Sequence, residues 1–162
     1  MNGSLDAGYY RLALKYACLR DLSMAAVYAR RAVSLNAENE QARKLLGICL
    51  YELGDLDGAA AALKGISGLS SAVNAERIRA KETLGRVRAL TARENWNKAK
   101  RSLRKLEHQS VRVLIIRGCI ESAAKRYRAA AMLFGWALEK DAGNRMAAAY
   151  LAEAGRQRVL RG

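Results

Sequence analysis

Apolar residues along the chain recur every three or four positions, and short polar breaks separate the periodic segments. This spacing is typical of amphipathic α-helices. It predicts helices over residues 6–19, 22–35, 40–53, 56–66, 74–92, 95–107, 110–123, 127–140 and 144–160. The chain is therefore predicted to be all-α.

The pattern of the first two helix pairs repeats with a shift of 34 residues. Residues 6–39 align with residues 40–73 without a gap, so that Asp21 falls on Asp55. Each segment contains two helical patterns around a short break, which is predicted to be a tight turn.

Two further helix pairs follow with looser spacing, over residues 74–109 and 110–144. The connection before them, KGISGLSSAVN, is rich in Gly and Ser and is predicted to be a loop. A last helix over residues 145–160 closes the chain. The sequence thus predicts one domain over residues 1–162, with four helix pairs and a capping helix.

Small residues occupy one register of each predicted pair. Two antiparallel helices approach closely only where one of them presents Gly or Ala. We predict these contacts at Ala13, Gly47, Gly85 and Gly118 in the first helices and at Ala25, Ala59, Ala99 and Ala130 in the second. A glycine inside a helix costs about 1 kcal/mol relative to alanine. The three glycines therefore indicate a packing role.

This pattern resembles the tetratricopeptide repeat, a helix–turn–helix unit of about 34 residues. The resemblance is strongest in RLALKYACLRDLSMAAVYARRAVSLNAEN and KLLGICLYELGDLDGAAAALKGI, and it covers residues 6–144. It implies a right-handed α-solenoid of antiparallel helix pairs with a concave groove. The sequence departs from the family where a proline commonly ends the second helix, since Ala37 and Ala142 stand there.

The resemblance also implies where a ligand would bind, since family members contact ligands mainly through the first helix of each pair. The matching residues are Tyr10, Leu14, Gln41, Lys44, Ile48, Tyr51, Arg79, Arg86, Arg112 and Ile115. The alternative interpretation of Leu14, Ile48 and Ile115 is that they are core residues. Tyr10 and Leu14 stand where related domains place the Lys and Asn that hold chaperone tails. A peptide or helix with acidic and apolar side chains fits better.

The formal net charge of +14 is concentrated in the second half of the chain. Residues 82–162 contain 18 Lys and Arg against 7 Asp and Glu, whereas residues 1–81 contain 11 against 8. Such an excess attracts anionic partners through its long-range field. The cations that form a stripe on the predicted helices are Lys98, Arg101, Arg104, Lys105, Lys125, Arg126 and Arg128. This stripe is either a solvated convex face or a phosphate-binding surface.

The residues that catalysis would need are scarce. The sequence has one histidine, His108, at a polar helix end, and its carboxylates mostly pair with nearby cations, as in Glu40 and Lys44. Gly54-Asp55 is followed by no Lys-Ser/Thr, which excludes a phosphate-binding loop there. We therefore predict no enzymatic activity, no cofactor and no metal.

The sequence also bears on location. No apolar stretch approaches the about 20 residues that span a bilayer, and the first residues do not form a secretory signal. The three cysteines, Cys18, Cys49 and Cys119, are widely spaced and are predicted to be buried and reduced. These features predict a cytoplasmic protein.

Two functions are compatible with these features of the sequence. The first is a protein–protein interaction scaffold or adaptor that binds an acidic peptide or helix in the groove. The alternative is a nucleic-acid-associated protein whose basic half contacts phosphates. Trp96 and Tyr127 are predicted to pack after the turns, so stacking on bases is not expected. The oligomeric state is left open.

Overall fold

The computed structural model describes residues 4–106 and 108–161, with the backbone alone for Arg161. The described residues form helices and turns without strands, so the all-α prediction is confirmed. The helices are α1 (Leu5–Cys18), α2 (Leu22–Leu35), α3 (Glu40–Leu53), α4 (Leu56–Ala62), α5 (Leu69–Ala92), α6 (Trp96–Arg104), α7 (Val111–Ala123), α8 (Tyr127–Lys140) and α9 (Arg145–Arg161). Among them, none is both long enough and apolar enough to cross a membrane.

Polar side chains fix the starts of four helices. Asp21, Asn39, Asp55 and Ser110 precede α2, α3, α4 and α7, and accept hydrogen bonds from the N–H groups of Met24, Ala42, Gly58 and Val113. The first N–H groups of a helix have no partner within it, so these side chains stabilise the helix start.

Helix α5 differs most from its prediction, because it begins at Leu69 rather than at residue 74. The loop before it ends at Gly68, whose φ is +83°. Val73, which was predicted to lie in this loop, is buried in a cluster with residues of α1 to α4. This burial outweighs the weak helix propensity of the neighbouring serines. Residue 107, the predicted end of the sixth helix, lies outside the described residues, and α6 ends at Arg104.

The described residues divide into two compact units. The first unit contains the residues up to Ala75 together with Lys140–Gly143, and the second contains Glu76–Glu139 and the residues from Asn144 onward. The core of the first unit is rich in alanine and leucine. The core of the second includes a fully buried leucine at position 103 and a phenylalanine at 134.

The four turns within the predicted pairs share one geometry. One residue in each has a positive φ: Arg20 (59°), Gly54 (92°), Glu94 (53°) and Lys125 (59°). The next residue donates its N–H to the C=O five positions earlier: Asp21 to Tyr16 at 3.0 Å, Asp55 to Leu50 at 2.9 Å, Asn95 to Leu90 at 2.9 Å and Arg126 to Glu121 at 2.8 Å. This bond satisfies a carbonyl that the helix end leaves without a partner. The predicted turns are confirmed.

The residue seven positions before each positive φ gives the register of each pair. Together with the residues 12, 16 and 19 positions later it forms a set of four, and all four sets are buried: Ala13, Ala25, Ala29 and Ala32; Gly47, Ala59, Leu63 and Ile66; Val87, Ala99, Leu103 and Leu106; Gly118, Ala130, Phe134 and Ala137. Corresponding positions of the four pairs are therefore buried alike.

Glycine contacts confirm the predicted register in the second and fourth pairs. A Cβ on Gly47 would lie 2.4 Å from Cγ of Leu63, and a Cβ on Gly118 would lie 2.4 Å from Cε1 of Phe134. The packing role of Gly85 is wrong, because nothing lies within 4 Å of the place of its Cβ. Val87, which is buried, stands 12 positions before Ala99 and occupies this register in the third pair.

Three of the four turns place a residue with a Cβ in the left-handed region, which costs about 1 kcal/mol or more. We expect Glu94→Gly to raise the free energy of unfolding by up to about 1 kcal/mol, less the entropy that glycine adds to the unfolded chain. Gly54→Ala should lower it by a similar amount. The neighbouring Arg93→Gly is the control, since Arg93 has no positive φ. Urea unfolding measures all three, and equal losses for Glu94→Gly and Arg93→Gly would contradict the prediction.

Lys140–Gly143 packs on the start of α2 within the first unit. The carboxylate of Asp141, which is fully buried, accepts hydrogen bonds from Ser23 N at 3.3 Å and Ser23 Oγ at 2.8 Å. The N–H of Ala142 donates to the carbonyl of Arg20 at 2.8 Å. In a strictly linear stack each repeat contacts only its neighbours. This contact between the fourth predicted pair and the first was not expected from the sequence.

Candidate functional site

The second unit contains a groove of about 770 Å³ between α5, α7 and α9. It is lined by Leu84, Gly85, Val87, Arg88, Thr91, Trp96, Arg112, Ile115, Ile116, Cys119, Ile120, Ala123, Met146 and Tyr150. Most of these side chains are apolar. Helices α5 and α7 are the first helices of the third and fourth predicted pairs, so the groove lies on the elements that the family resemblance implied.

The structure brings together only some of the predicted groove residues. Arg112 and Ile115 line the groove. Arg79 and Arg86 lie instead around a separate concavity of about 200 Å³, together with Lys105 of the α6 C-cap. The difference follows from the register of α5, since positions counted from Gly85 are two residues away from those counted from Val87.

Counting from Val87 gives the groove residues of α5 that the sequence pattern had not revealed. Leu84 and Arg88 stand at the same offsets from Val87 as Ile115 and Cys119 stand from Gly118, and all four line the groove. The signal was present in the sequence, because the other pairs have a fixed spacing of 12 residues between the small residue and the buried alanine.

The floor of the groove includes apolar side chains that solvent reaches. Met146 is 57% exposed and Tyr150 is 40% exposed. The Tyr150 ring stacks on Phe134 with ring centroids 5.3 Å apart, which fixes its position. Ile115 and Cys119 are half-buried, and they both line the groove and pack against the core. A contiguous apolar surface of this kind is typical of an interaction site.

Arg88 and Arg112 are exposed and give the groove its positive charge. Few other side chains there can form hydrogen bonds with a ligand. The Thr91 hydroxyl donates to the carbonyl of Arg88 at 3.0 Å, so its proton is already used. The thiol of Cys119 has a pKa raised by burial, and it stays protonated at neutral pH. The groove is therefore an apolar trough with two guanidinium groups.

The predicted groove residues of the first unit lie on α1 and α3. Leu14 is 39% exposed and Ile48 is 49% exposed, so their alternative interpretation as core residues is wrong. Tyr10 and Tyr51 are half-buried, and Gln41 is exposed. Lys44 forms an ion pair with Glu40, one helical turn before it.

The seven cations of the predicted basic stripe are exposed, but they differ in their partners. Glu121, whose side chain is 5% exposed, lies 3.0 Å from Nζ of Lys100 and also forms an ion pair with Arg126. Burial alone would raise the pKa of Glu121, but the hydrogen bonds and charges of Arg126 and Lys100 outweigh it and the pKa is lowered. Glu121 is therefore ionised and offsets the charge of these two cations.

The remaining cations of the stripe lie near other basic residues. Lys125, Arg126 and Arg128 line a concavity of about 620 Å³ with Arg158. Arg104 lies close enough to Arg117 to lower the pKa of its guanidinium, an effect second to that of burial. The structure thus gathers cations on two parts of the second unit, one at the start of α8 and one on α6.

The cysteines differ in their exposure and in their chemistry. Cys49 is buried, and burial, with the charges of Asp141 and Glu52, raises the pKa of its thiol to about 11. Cys18 is exposed, so the prediction that all three cysteines are buried is wrong. Within residues 4–106 and 108–161, no three His, Cys, Asp or Glu side chains are grouped so that they could hold a metal ion.

No family model matches the chain, and no curated protein sequence is significantly similar to it.

Proposed function

We propose that this chain is a non-enzymatic adaptor of the tetratricopeptide type, a right-handed solenoid of helix pairs, that binds a segment of a partner protein. The observation that carries this proposal is the apolar groove on α5, α7 and α9. It combines exposed apolar side chains with two guanidinium groups, a composition that favours protein partners.

The repeated construction of the chain supports the family assignment. Four turns have the same positive φ and the same hydrogen bond, and four sets of residues are buried at the same spacing. A repeat unit of this kind cannot bury its apolar face alone, so neighbouring pairs stack and present their first helices along one surface. The groove lies on two of these first helices.

The chemistry of the groove favours a helix as its occupant. An extended peptide would bring unpaired N–H and C=O groups against an apolar wall, and each one left unsatisfied costs about 1–3 kcal/mol. A helix satisfies these groups internally and can lay an apolar face into a groove. Arg88 and Arg112 then favour acidic residues beside that face, mainly by accelerating association.

Gly85 provides a sharp test, since a side chain added there enters the groove without meeting protein atoms within 4 Å. We expect peptides selected from a random display library against the wild-type chain to combine apolar residues at helical spacing with Asp or Glu. Gly85→Leu should weaken their binding at least about tenfold, because the new side chain fills the trough.

Gly135→Leu is the matched control, because Gly135 also has nothing within 4 Å of the place of its Cβ and lies on α8. Both substitutions replace a helical glycine by leucine, so their effects on helix propensity are alike. Fluorescence anisotropy with the selected peptides measures the affinities. Failure to select any peptide that distinguishes the two variants would overturn the proposal.

A further inference from the structure

Helix α6 and its C-cap form the most basic surface of the second unit outside the groove. Residues 96–106 contain five Lys and Arg and no acidic residue. Lys98, Arg101, Arg104 and Lys105 are all exposed, whereas the large apolar residue of this helix, Leu103, is fully buried. Lys98, Arg101 and Lys105 follow one another at helical spacing and share a face.

Helix α5 adds to this surface. Arg79 and Arg86 of α5 surround the concavity of about 200 Å³ together with Lys105. One carboxylate, Glu82, lies there too, at 3.9 Å from Arg86, and both side chains are more than 60% exposed. An ion pair this long and this exposed is weak, so the surface remains strongly positive.

Like charges are also crowded at the edge of this surface. Arg104 lowers the pKa of the Arg117 guanidinium, which burial lowers further still, so both cations lie in an unfavourable electrostatic environment. Lys100 behaves differently, because the buried Glu121 holds it. The α6 surface consists of the remaining residues, Arg79, Arg86, Lys98, Arg101, Arg104 and Lys105.

We infer that the α6 surface binds nucleic acid through its phosphate groups, as a function separate from the groove. Guanidinium groups match phosphate oxygens in a two-pronged geometry, and half or more of the cations here are arginines. Docking onto an acidic protein normally uses aromatic or other apolar anchors, and binding at a membrane surface uses inserted apolar residues. Helix α6 exposes neither kind of side chain.

The same composition determines the kind of recognition. Base readout requires stacking aromatics or amide side chains that reach base edges. Trp96 lines the groove instead, and the α6 surface itself contains only cations. Binding is therefore independent of base sequence, and its energy comes from counterions that the phosphates release.

The experiment measures the anisotropy of short fluorescent duplexes of two unrelated sequences between about 50 and 200 mM salt. We expect equal affinities for both sequences and a linear fall of log K with log salt. The variant Lys98→Gln, Arg101→Gln, Lys105→Gln should reduce the slope by about 2–3 and weaken binding at least about 30-fold at the lower salt, because three phosphate contacts are lost.

The control variant Arg11→Gln, Lys15→Gln, Arg30→Gln removes the same net charge from exposed positions of the first unit. It should change the slope much less. Equal effects of the two triple variants would overturn the assignment in favour of net charge alone. Stronger binding to phosphatidylserine vesicles or to poly-glutamate than to the duplex would overturn it in favour of another polyanion.

The groove variant Gly85→Leu separates this inference from the proposed function. It should leave duplex binding unchanged, since Gly85 lies in the groove and outside the α6 surface. Loss of duplex binding in Gly85→Leu would contradict the inference. Peptide binding that survives in the α6 variant would show that the two sites act independently.

Discussion

Gly118→Ala is expected to lower the free energy of unfolding of the second unit by about 2 kcal/mol, although alanine normally stabilises a helix relative to glycine. The new Cβ would lie 2.4 Å from Cε1 of Phe134 and 2.7 Å from its Cδ1 and Cζ. Phe134 is 1% exposed, and its ring is rigid and packed on all sides. The ring cannot move away without displacing its neighbours, and this strain outweighs the gain in helix propensity of about 1 kcal/mol.

Gly85→Ala is the matched substitution in the same unit, and it should raise the free energy of unfolding by up to about 1 kcal/mol. The two variants differ only in what a Cβ meets, since no atom lies within 4 Å at Gly85. Urea unfolding midpoints, compared at equal m-values, measure both. Shifts in the same direction would show that the contact between Gly118 and Phe134 does not set this helix spacing.

A second substitution tests the mechanism directly. Phe134→Leu alone should destabilise the unit by loss of packing, but it should partly rescue Gly118→Ala, because the smaller side chain leaves room for the added methyl group. The double-mutant cycle should therefore give a favourable coupling of about 1 kcal/mol or more. An additive result would place the strain elsewhere.

Local patterns in the sequence predicted the helices and turns well. Their periodicity depends on neighbouring residues, and Gly47 and Gly118 occupy the predicted packing positions. The error at Gly85 came from choosing the glycine itself rather than the spacing to the buried Ala99. A glycine in a helix serves packing only where a neighbouring side chain approaches it. In α5 the glycine faces the groove.

The candidate groove could be predicted only in part. Arg112 and Ile115 were found because the fourth pair keeps the spacing of the first two. Arg79 and Arg86 were misplaced by the error in α5. Met146 and Tyr150 were missed because α9 has no second helix to pair with, so the repeat does not define which of its faces meets the groove.

Asp141 shows a different limit of the sequence. Its hydrogen-bond partner Ser23 lies 118 positions earlier in the chain. Helical periodicity and turn motifs depend on residues within a few positions of each other, and they contain no information on such a contact. The segment around Asp141 has the pattern of an ordinary polar turn between two helices.

Asp141→Ala is expected to lower the free energy of unfolding of the first unit by about 3 kcal/mol. The carboxylate accepts hydrogen bonds from both N and Oγ of Ser23 and is fully buried, and a bond to a charged group contributes about 1.5–3 kcal/mol. Its removal would also leave the Ser23 N–H at the start of α2 without this acceptor. Asp141→Asn should cost less, since its amide oxygen can still accept one of the two bonds.

Ser23→Ala separates the side-chain bond from the rest of the contact. It removes the Oγ partner and keeps the backbone N–H, so the cycle of Asp141→Asn with Ser23→Ala should show a coupling of about 1 kcal/mol or more. Glu38→Ala, at an exposed acidic residue of the same unit, should stay within about 0.5 kcal/mol of the wild type. A loss for Asp141→Ala no larger than that of Glu38→Ala would mean that this segment does not stabilise the start of α2, and that the first unit depends on its alanine-rich core alone.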